Sequence, residues 1–247
     1  MLAIAGIGGL FSSPFLPPGV LSVELHSHSS LSYDGRDPIE MLLEQAAAVG
    51  LDALAVTDHD EFAASQRAAD LAEDYGLVGI PGMEVTSAAG HVLALGITES
   101  VPPGRPFLDT LDAIRERGGI AVVPHPFQSS RSGVAANISR EALASADAIE
   151  IYNSRLLTGR ANRQAERFAR EHELPMTAGS DAHIAEMVGQ AVTRIDATDE
   201  SLDAILQAIR DGRTSVEGKR TPWRISFRQA AGGAKRRVKN RLAEMFP

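Results

Sequence analysis

The 247-residue chain contains no cysteine. It can therefore form no disulfide bond, and it has no thiol nucleophile and no cysteine-ligated zinc or iron–sulfur site. Lack of cysteine is also typical of proteins from a reducing compartment, so we predict a cytoplasmic location. Phosphate-binding loops and dinucleotide fingerprints are missing too, which argues against ATP or NAD as a ligand.

The chain also lacks a long uninterrupted apolar run. Its first 23 residues are uncharged, but Ser12, Pro14 and Pro17 interrupt them well before the ~20 apolar residues that a spanning helix needs. The basic start of a signal peptide is absent as well. We predict no transmembrane segment and divide the chain into an N-terminal extension (1–20), a barrel (21–218) and a C-terminal tail (219–247).

Charge is distributed unevenly along the chain. The net charge is −8, yet residues 213–247 contain ten basic and two acidic side chains, against 14 basic and 30 acidic ones before them. An acidic body argues against a stable nucleic-acid partner and suits a protein that binds metal cations. The basic tail carries Val238, Leu242 and Met245 at helical spacing. It is predicted to contact an anionic surface or the protein's own acidic body.

Short apolar runs alternate with amphipathic stretches from residue 20 onward. Such alternation without a linker predicts one parallel sheet closed into an α/β barrel. The predicted strands are 21–25, 53–56, 78–80, 92–95, 120–123, 148–151, 176–178 and 191–195. The predicted helices are 38–49, 62–75, 108–117, 140–146, 158–172 and 201–210. Asp37 is the predicted N-cap of the first helix, and Gly50 and Gly76 are predicted to end the first and second helices.

Six of the seven histidines and three carboxylates stand at or just beyond predicted strand ends. His26 and His28 follow the first strand, and alternate residues of a strand point to the same side, so both imidazoles can converge on one ion. One His-x-His is a weak signal, but the joint position of all nine residues at the edge where α/β barrels build active sites is strong. The nine are His26, His28, Asp34, His59, Glu84, His91, His125, Asp181 and His183.

Nine nitrogen and oxygen donors are too many for one tetrahedral ion and suit two or three divalent cations. Clustered cations lower the pKa of bound water, which supplies hydroxide near neutral pH. They also neutralise charge on phosphoryl and leaving oxygens. This chemistry indicates metal-dependent hydrolysis of a phosphoester.

In these motifs the chain resembles the PHP (polymerase and histidinol phosphatase) family of metal-dependent phosphoesterases. The resemblance extends from about residue 23 to about residue 212. It implies a single-domain α/β fold, a distorted (β/α)7 TIM-like barrel, that holds two or three divalent ions (Mn, Zn or Fe). The motifs are Glu-Leu-His-Ser-His-Ser-Ser with Tyr-Asp-Gly, Ala-Val-Thr-Asp-His-Asp, Pro-Gly-Met-Glu-Val, Gly-His-Val-Leu-Ala-Leu-Gly, Pro-His-Pro-Phe and Ala-Gly-Ser-Asp-Ala-His.

The same resemblance divides the nine donors among three ions, with Glu84 bridging the first and the second. It also implies that Asp58 and Asp60 support the ligands or their loops rather than bind metal. The three implied sets are His26, His28, Glu84 and Asp181; then Glu84, His91 and His125; then Asp34, His59 and His183.

We expect the substrate to be a small phosphomonoester or a nucleotide-type phosphoester. Arg131 and Arg155 are the candidate catalytic residues, because a guanidinium can bind phosphate through two hydrogen bonds. Only 23 residues separate Gly96 from Ile120, too few for the lid domain that nucleotide-phosphatase and RNA-trimming relatives often insert. A short oligonucleotide is still an allowed substrate.

Two other classes are compatible with these residues. One is a metal-stabilised binding or regulatory module that acts through its basic tail. The other is an amidohydrolase-type hydrolase, which shares the barrel and the His-x-His motif. Many amidohydrolases bridge two metals with a carbamylated lysine, whereas this chain has no lysine before Lys219 and offers Glu84 instead.

Overall fold

The computed structural model describes residues 19–128, 133–156 and 159–219, which form one nine-stranded sheet with six α-helices around it. The strands are β1 (Val20–Glu24), β2 (Ala53–Val56), β3 (Val78–Ser87), β4 (Gly90–Leu95), β5 (Ile120–Val123), β6 (Ala148–Asn153), β7 (Met176–Gly179), β8 (Ala191–Asp196) and β9 (Thr214–Gly218). The helices are α1 (Ile39–Ala48), α2 (Ala63–Leu71), α3 (Phe107–Glu116), α4 (Arg140–Leu143), α5 (Arg160–Glu171) and α6 (Leu202–Arg210).

Strands β1 to β7 form a ring that closes at one edge. They pair in sequence order, and a parallel bridge between Ser27 and Ala182 joins the chain beyond β1 to the chain beyond β7. Strand β1 itself pairs with β8 rather than with β7. The hydroxyl of Thr193 in β8 accepts a hydrogen bond from the amide of Ala178 in β7 and donates one to its carbonyl, which connects β8 to β7. The predicted single-domain, distorted barrel is confirmed.

The sheet is mixed, so the prediction of a wholly parallel sheet is wrong. β4 is antiparallel to both β3 and β5, and β8 is antiparallel to β1 and β9. β3 and β4 are joined by a tight turn, which permits only an antiparallel pair, because a parallel pair needs a long crossover. A single 3-10 turn, Ala185–Met187, precedes β8 in place of a crossover helix. β9 was not predicted, because its short and half-exposed sequence has no apolar run.

The helices cover the ring and close its lower end. α1 buries Ile39, Leu42, Leu43 and Ala46, the i, i+3, i+4, i+7 pattern of a helix with one apolar face. Inside the ring, alternate strand residues form a core cluster that also contains apolar side chains of α6. Since this cluster includes the starts of β1 and β5, α6 closes the amino-terminal edge of the ring. The other edge is therefore left for polar residues.

The sequence signals at the ends of α1 and α2 agree with the structure only in part. Gly50 and Gly76, predicted to end helices, have φ angles of 76° and 72°, the left-handed backbone that glycine tolerates. Asp37 was predicted to cap α1, but its carboxylate accepts a hydrogen bond from the Ala185 amide and the capping position falls on Pro38. A tertiary contact thus replaces the predicted local one.

Most of the predicted N-terminal extension and nearly all of the C-terminal tail lie outside the described residues. The division into 1–20, 21–218 and 219–247 therefore stays a prediction. Among residues 19–128, 133–156 and 159–219, no helix has the length and apolar character needed to cross a membrane.

Candidate metal centre

The carboxyl ends of β1, β2 and β3 bring four predicted ligands side by side. His26 and His28 follow β1 with one residue between them, and both rings are fully buried. His59 follows β2 and forms an isolated parallel bridge with Glu84 in β3. This bridge extends the β2–β3 pairing past the end of β2, so the two side chains lie at the same level of the ring.

The antiparallel direction of β4 explains how His91 joins them. His91 is near the amino-terminal start of β4, opposite Thr86 of β3, and a parallel β4 would have put it at the wrong edge of the ring. Its Nδ1 lies 2.7 Å from Oε1 of Glu84. His125, just beyond β5, brings Nε2 to 3.4 Å from the same oxygen.

Glu84 is the centre of the group. Its second oxygen, Oε2, lies 3.2 Å from Nε2 of His26, 3.2 Å from Nε2 of His28 and 3.4 Å from Nδ1 of His59. One carboxylate thus faces five histidines, with Oε1 toward two of them and Oε2 toward the other three. Each oxygen of Glu84 could therefore serve as a ligand to a different cation.

The remaining predicted ligands form a second group next to the first. Oδ2 of Asp34 lies 2.7 Å from Nε2 of His183 and 3.6 Å from Nε2 of His59. Oδ1 of Asp181 lies 3.7 Å from Nε2 of His28 and 3.2 Å from Nδ1 of His183. All nine predicted residues therefore come together at one edge of the barrel, and their role as ligands stays a prediction.

The donors fit divalent cations better than they fit one another. His28 Nε2, His59 Nδ1 and Glu84 Oε1 are buried and, despite the short distances above, none of them is aligned for a hydrogen bond to a described residue. Imidazole and carboxylate donors of this kind are those that zinc, manganese and iron accept. Four sets have ligand atoms within 4.8 Å of one another: His28, His59 and His183; His26, His125 and Asp181; His26, His28 and Glu84; His59, Glu84 and His91.

Burial and neighbouring charges set the protonation of this cluster. Burial, together with repulsion from His183, lowers the pKa of His28 to about 3, which keeps its ring neutral and its lone pair available. Burial alone would raise the pKa of Glu84, but the adjacent His26 and His59 hold it well below its usual range. Burial alone would lower the pKa of His26, yet the carboxylates of Glu84, Glu150 and Asp181 raise it well above its ordinary value. The cluster is thus rich in negative charge that a cation can neutralise.

Two predicted ligands have strained backbone. His125 and Asp181 have φ angles of 32° and 50°, a region that costs a non-glycine residue about 1–3 kcal/mol. Such strain persists only where the surrounding structure enforces it, and it is common at functional sites. Here it occurs where the chain leaves β5 and β7 and turns a side chain into the cluster.

The two candidate arginines have different outcomes. Arg131 lies outside the described residues. Arg155 follows β6, and its Nη1 lies 3.0 Å from Oδ1 of Asp181 and 2.9 Å from Nε2 of His183. Burial alone would raise the pKa of Asp181, but the Arg155 guanidinium lowers it below its usual range. Arg155 therefore touches two predicted ligands at the edge of the cluster.

Sequence reasoning missed two buried carboxylates beneath the cluster. Glu24 accepts hydrogen bonds from the amides of His26, Ser180 and Gly189, and burial raises its pKa to about 7. Glu150 lies 3.0 Å from Nδ1 of His26. The available signal was a single charged residue in each of two otherwise uncharged strands, β1 and β6.

The supporting role implied for Asp58 has a structural counterpart. Its two carboxylate oxygens accept hydrogen bonds from the amide and hydroxyl of Ser29, at 2.6 and 2.5 Å. Asp60 accepts a hydrogen bond from the Thr86 amide at 2.7 Å, which ties its loop to β3. Both contacts hold the segments that carry the predicted ligands.

The cluster opens to solvent at the loop after β1. The Asp34 side chain is 28% exposed, whereas those of His26 and His28 are fully buried. The ring of Tyr33 stacks on His59 at 4.7 Å between centroids and is largely exposed. A substrate would therefore approach the cluster past Tyr33 and Asp34.

Two comparisons of sequence find related proteins. The family described as PHP-associated matches residues 159–214. An uncharacterized protein of Methanocaldococcus jannaschii is 30% identical over 175 residues, which are 69% of this chain and 69% of that protein. The phosphoribosyl 1,2-cyclic phosphate 1,2-diphosphodiesterase of Eggerthella lenta is 40% identical over 85 residues, which are 32% of this chain and 32% of that enzyme.

Solved structures share the fold. A two-domain protein from Bacteroides vulgatus containing a predicted PHP-like metal-dependent phosphoesterase has a TM-score of 0.70 at 22% identity, over 81% of this chain and 65% of its own. The lesion-specific endonuclease EndoQ of Pyrococcus furiosus has a TM-score of 0.57 at 18% identity, over 80% of this chain and 57% of its own. This chain spans less than two thirds of either structure, and at these identities the likeness concerns the fold alone.

Proposed function

This chain belongs to the PHP family, and on that premise we propose that it is a metal-dependent phosphoesterase that hydrolyses a small phosphomonoester or nucleotide-type phosphoester. One observation carries the proposal: the Glu84 carboxylate faces five histidines, which divide between its two oxygens. The proposed ligands are the nine predicted residues. Two or three Mn, Zn or Fe ions bound there would lower the pKa of water and neutralise charge on the phosphoryl group.

The chain's own residues would bind and orient the phosphoester. Arg155 has a guanidinium at the edge of the cluster, where it can donate to phosphate oxygens while keeping its contact with Asp181. Asp34 and His183 hold each other at 2.7 Å and fix the position of the loop after β1. Tyr33 covers one face of His59 and limits the approach of water from that side.

An open entrance supports a small substrate. The span between Gly96 and Ile120 contains α3, which packs Leu111 and Ile114 into the core, and no lid domain occurs within the described residues. Recognition would therefore depend on the phosphoryl group and on groups close to it. A phosphomonoester presents such a group without further requirements on the rest of the molecule.

A phosphodiester of a short oligonucleotide is the second candidate. Arg160, Arg163 and Arg167 are exposed and recur at helical spacing on α5, which starts near Arg155 at the cluster edge of the ring. Guanidinium groups in a row bind successive phosphates, and such contacts carry no sequence preference. The partial identity to a phosphodiesterase and the fold shared with EndoQ are compatible with this class.

The test is a substrate panel with metal-stripped and reconstituted protein. Protein treated with a chelator would be reloaded separately with Mn, Zn or Fe, then assayed on p-nitrophenyl phosphate, histidinol phosphate, nucleoside mono- and bisphosphates, and a short RNA. We expect turnover of at least one phosphomonoester that disappears on stripping and returns on reloading. Full activity of stripped protein, or no turnover by any loaded form, would overturn the proposal.

A substitution separates the two substrate classes. Arg163→Glu and Arg167→Glu reverse charge on α5 at a distance from the predicted ligands. For an oligonucleotide substrate, KM should rise and the salt dependence should weaken, because phosphate contacts are lost. For a small phosphomonoester, KM and its salt dependence should be unchanged.

A further inference from the structure

Beneath the cluster, one buried carboxylate contacts two predicted ligands on opposite sides. Oε1 of Glu150 lies 3.0 Å from Nδ1 of His26, and Oε2 accepts a hydrogen bond from the backbone amide of His125 at 2.9 Å. Asn153 donates to the same Oε2 at 3.1 Å and to Oδ2 of Asp181 at 3.4 Å. β6 itself supplies none of the nine predicted ligands, yet it touches three of them.

A β-bulge makes this arrangement possible. Residues i and i+3 of a regular strand point to opposite faces, so Glu150 and Asn153 should not meet. In β6 the pairing with β7 shifts between Glu150 and Tyr152, which leaves Ile151 as an extra residue. The shift turns both polar side chains into the ring, where both are buried.

Gly179 of β7 leaves the space that the contact needs. A Cβ at this position would meet the Cβ of His26 and Oε1 of Glu150 at distances that real side chains do not adopt. The φ angle of Gly179 is not in the left-handed region, so its backbone does not require glycine. The requirement comes from the neighbouring His26–Glu150 pair.

We propose that Glu150 is a positioning residue that holds His26 with its proton on Nδ1 and fixes the chain at His125. In the neutral ring this leaves the lone pair on Nε2, which lies 3.2 Å from Glu84 and 4.0 Å from Asp181 and would be available to a cation. Carboxylates that accept from the second nitrogen of a ligand histidine fix its tautomer, and their loss typically weakens metal binding 10–100-fold. Glu150 contacts both His26 and His125, which the resemblance assigns to different ions. Its loss should therefore weaken the binding of both ions.

Asp147 offers a matched control. It lies just before β6 and accepts a hydrogen bond from the amide of Ala121 in β5 at 2.7 Å, as Glu150 does from the amide just beyond β5. Asp147 also pairs with Arg115, and it is at the opposite end of β6 from the cluster. Asp147→Asn therefore removes a carboxylate that joins the same two strands but touches no predicted ligand.

The experiment measures metal binding without substrate. Metal-free full-length wild type, Glu150→Gln, Gly179→Ala and Asp147→Asn would be titrated with Co²⁺ and followed by visible absorption. The ¹⁵N shifts of the His26 ring, recorded on metal-free protein at a pH high enough to make the ring neutral, would report its tautomer, and thermal unfolding of the metal-free proteins would report folding. We expect about 10–100-fold weaker binding in Glu150→Gln and Gly179→Ala, a changed His26 tautomer in Glu150→Gln, and wild-type affinity in Asp147→Asn.

Wild-type affinity in folded Glu150→Gln, or an equal loss in Asp147→Asn, would overturn the positioning role. Absence of Co²⁺ binding by wild type would overturn it together with the metal centre. The proposal depends on that metal centre and not on hydrolysis: weakened Co²⁺ binding in a protein that turns over no phosphoester would support it while refuting the proposed function.

Discussion

Histidines occur in two contrasting surroundings. One is the strand-exit edge of the barrel, the edge that carries the nine predicted ligands, and the other is the carboxyl end of α5. At the strand-exit edge, His26 is fully buried with carboxylate oxygens of Glu84, Glu150 and Asp181 within 4.0 Å. At the end of α5, His172 is exposed, and its ring packs on Phe168 at 4.4 Å between centroids. No carboxylate among the described residues pairs with His172.

This difference shows that surroundings rather than residue type define the candidate ligands. A buried imidazole with several carboxylates is stable only if protons or cations balance the negative charge. An exposed imidazole at a helix end needs no such balance and gains at most a weak attraction to the helix dipole. The contrast can be tested by substitution at both places.

The largest loss is expected for Glu84→Gln. The amide keeps the size of the side chain but removes the charge that faces five histidines, and a neutral amide is a poor bridge between cations. We expect turnover of the best phosphomonoester to fall about 10³-fold or more, with loss of bound metal measured by mass spectrometry. Retention of wild-type metal content would refute a bridging role.

His59→Ala should have the next largest effect. His59 contacts both Glu84 and Asp34, and by resemblance it holds the third ion. Loss of one positioned cation should lower turnover by at least about 10²-fold, the scale of losing one fixed electrostatic group. Metal content should fall together with kcat.

His172→Ala is the control for this substitution. It should leave turnover and metal content unchanged and alter the free energy of unfolding by about 1 kcal/mol or less. Comparable damage from His59→Ala and His172→Ala would mean that position at a strand end does not select the ligands, and the assignment of the site would have to be abandoned.

Arg155→Ala should have a smaller effect than loss of a ligand. A charge-assisted hydrogen bond contributes about 1.5–3 kcal/mol, so KM for a phosphomonoester should rise roughly 10- to 100-fold if the guanidinium binds substrate. Metal content should change little, and Arg155→Lys should restore only part of the loss because it cannot donate two hydrogen bonds in one plane. An unchanged KM would restrict Arg155 to its contacts with Asp181 and His183.

The smallest effect is expected from removing residues 221–247. We propose that the barrel contains the whole catalytic site, since no predicted ligand lies in this segment. Truncated protein should keep its metal content and its turnover of p-nitrophenyl phosphate within about a factor of two, a change below 0.5 kcal/mol. A several-fold loss of metal would show that the tail supports the barrel.

Strand prediction succeeded where burial is continuous. β2 and β5 match the predicted 53–56 and 120–123 because both are short, wholly apolar and buried along their length. The predicted strands 78–80 and 148–151 are shorter than the observed β3 and β6, because β3 and β6 extend into the polar residues that face the cluster. Apolar runs mark only the part of a strand that lies in the core.

The residues of the candidate site can be identified from the sequence, but the contacts between them cannot. His26 and His28 are recognisable because alternate residues of an extended chain face the same way. Glu150 and Asn153 could not be recognised as partners, because a bulge depends on how β6 pairs with β7. The role of Glu84 as the centre was implied by resemblance, and its five distances needed the folded chain.

The sequence by itself determined the barrel class and the nine residues at its strand-exit edge, since apolar periodicity and strand-end position are local properties. The tertiary structure decided strand direction, ring closure and the pairing of charges. His91 reaches Glu84 only because β4 runs antiparallel, and the bridge between Ser27 and Ala182 joins the two ends of the ring. Ring closure and the pairing of charges depend on contacts between segments distant in sequence, which no local pattern records.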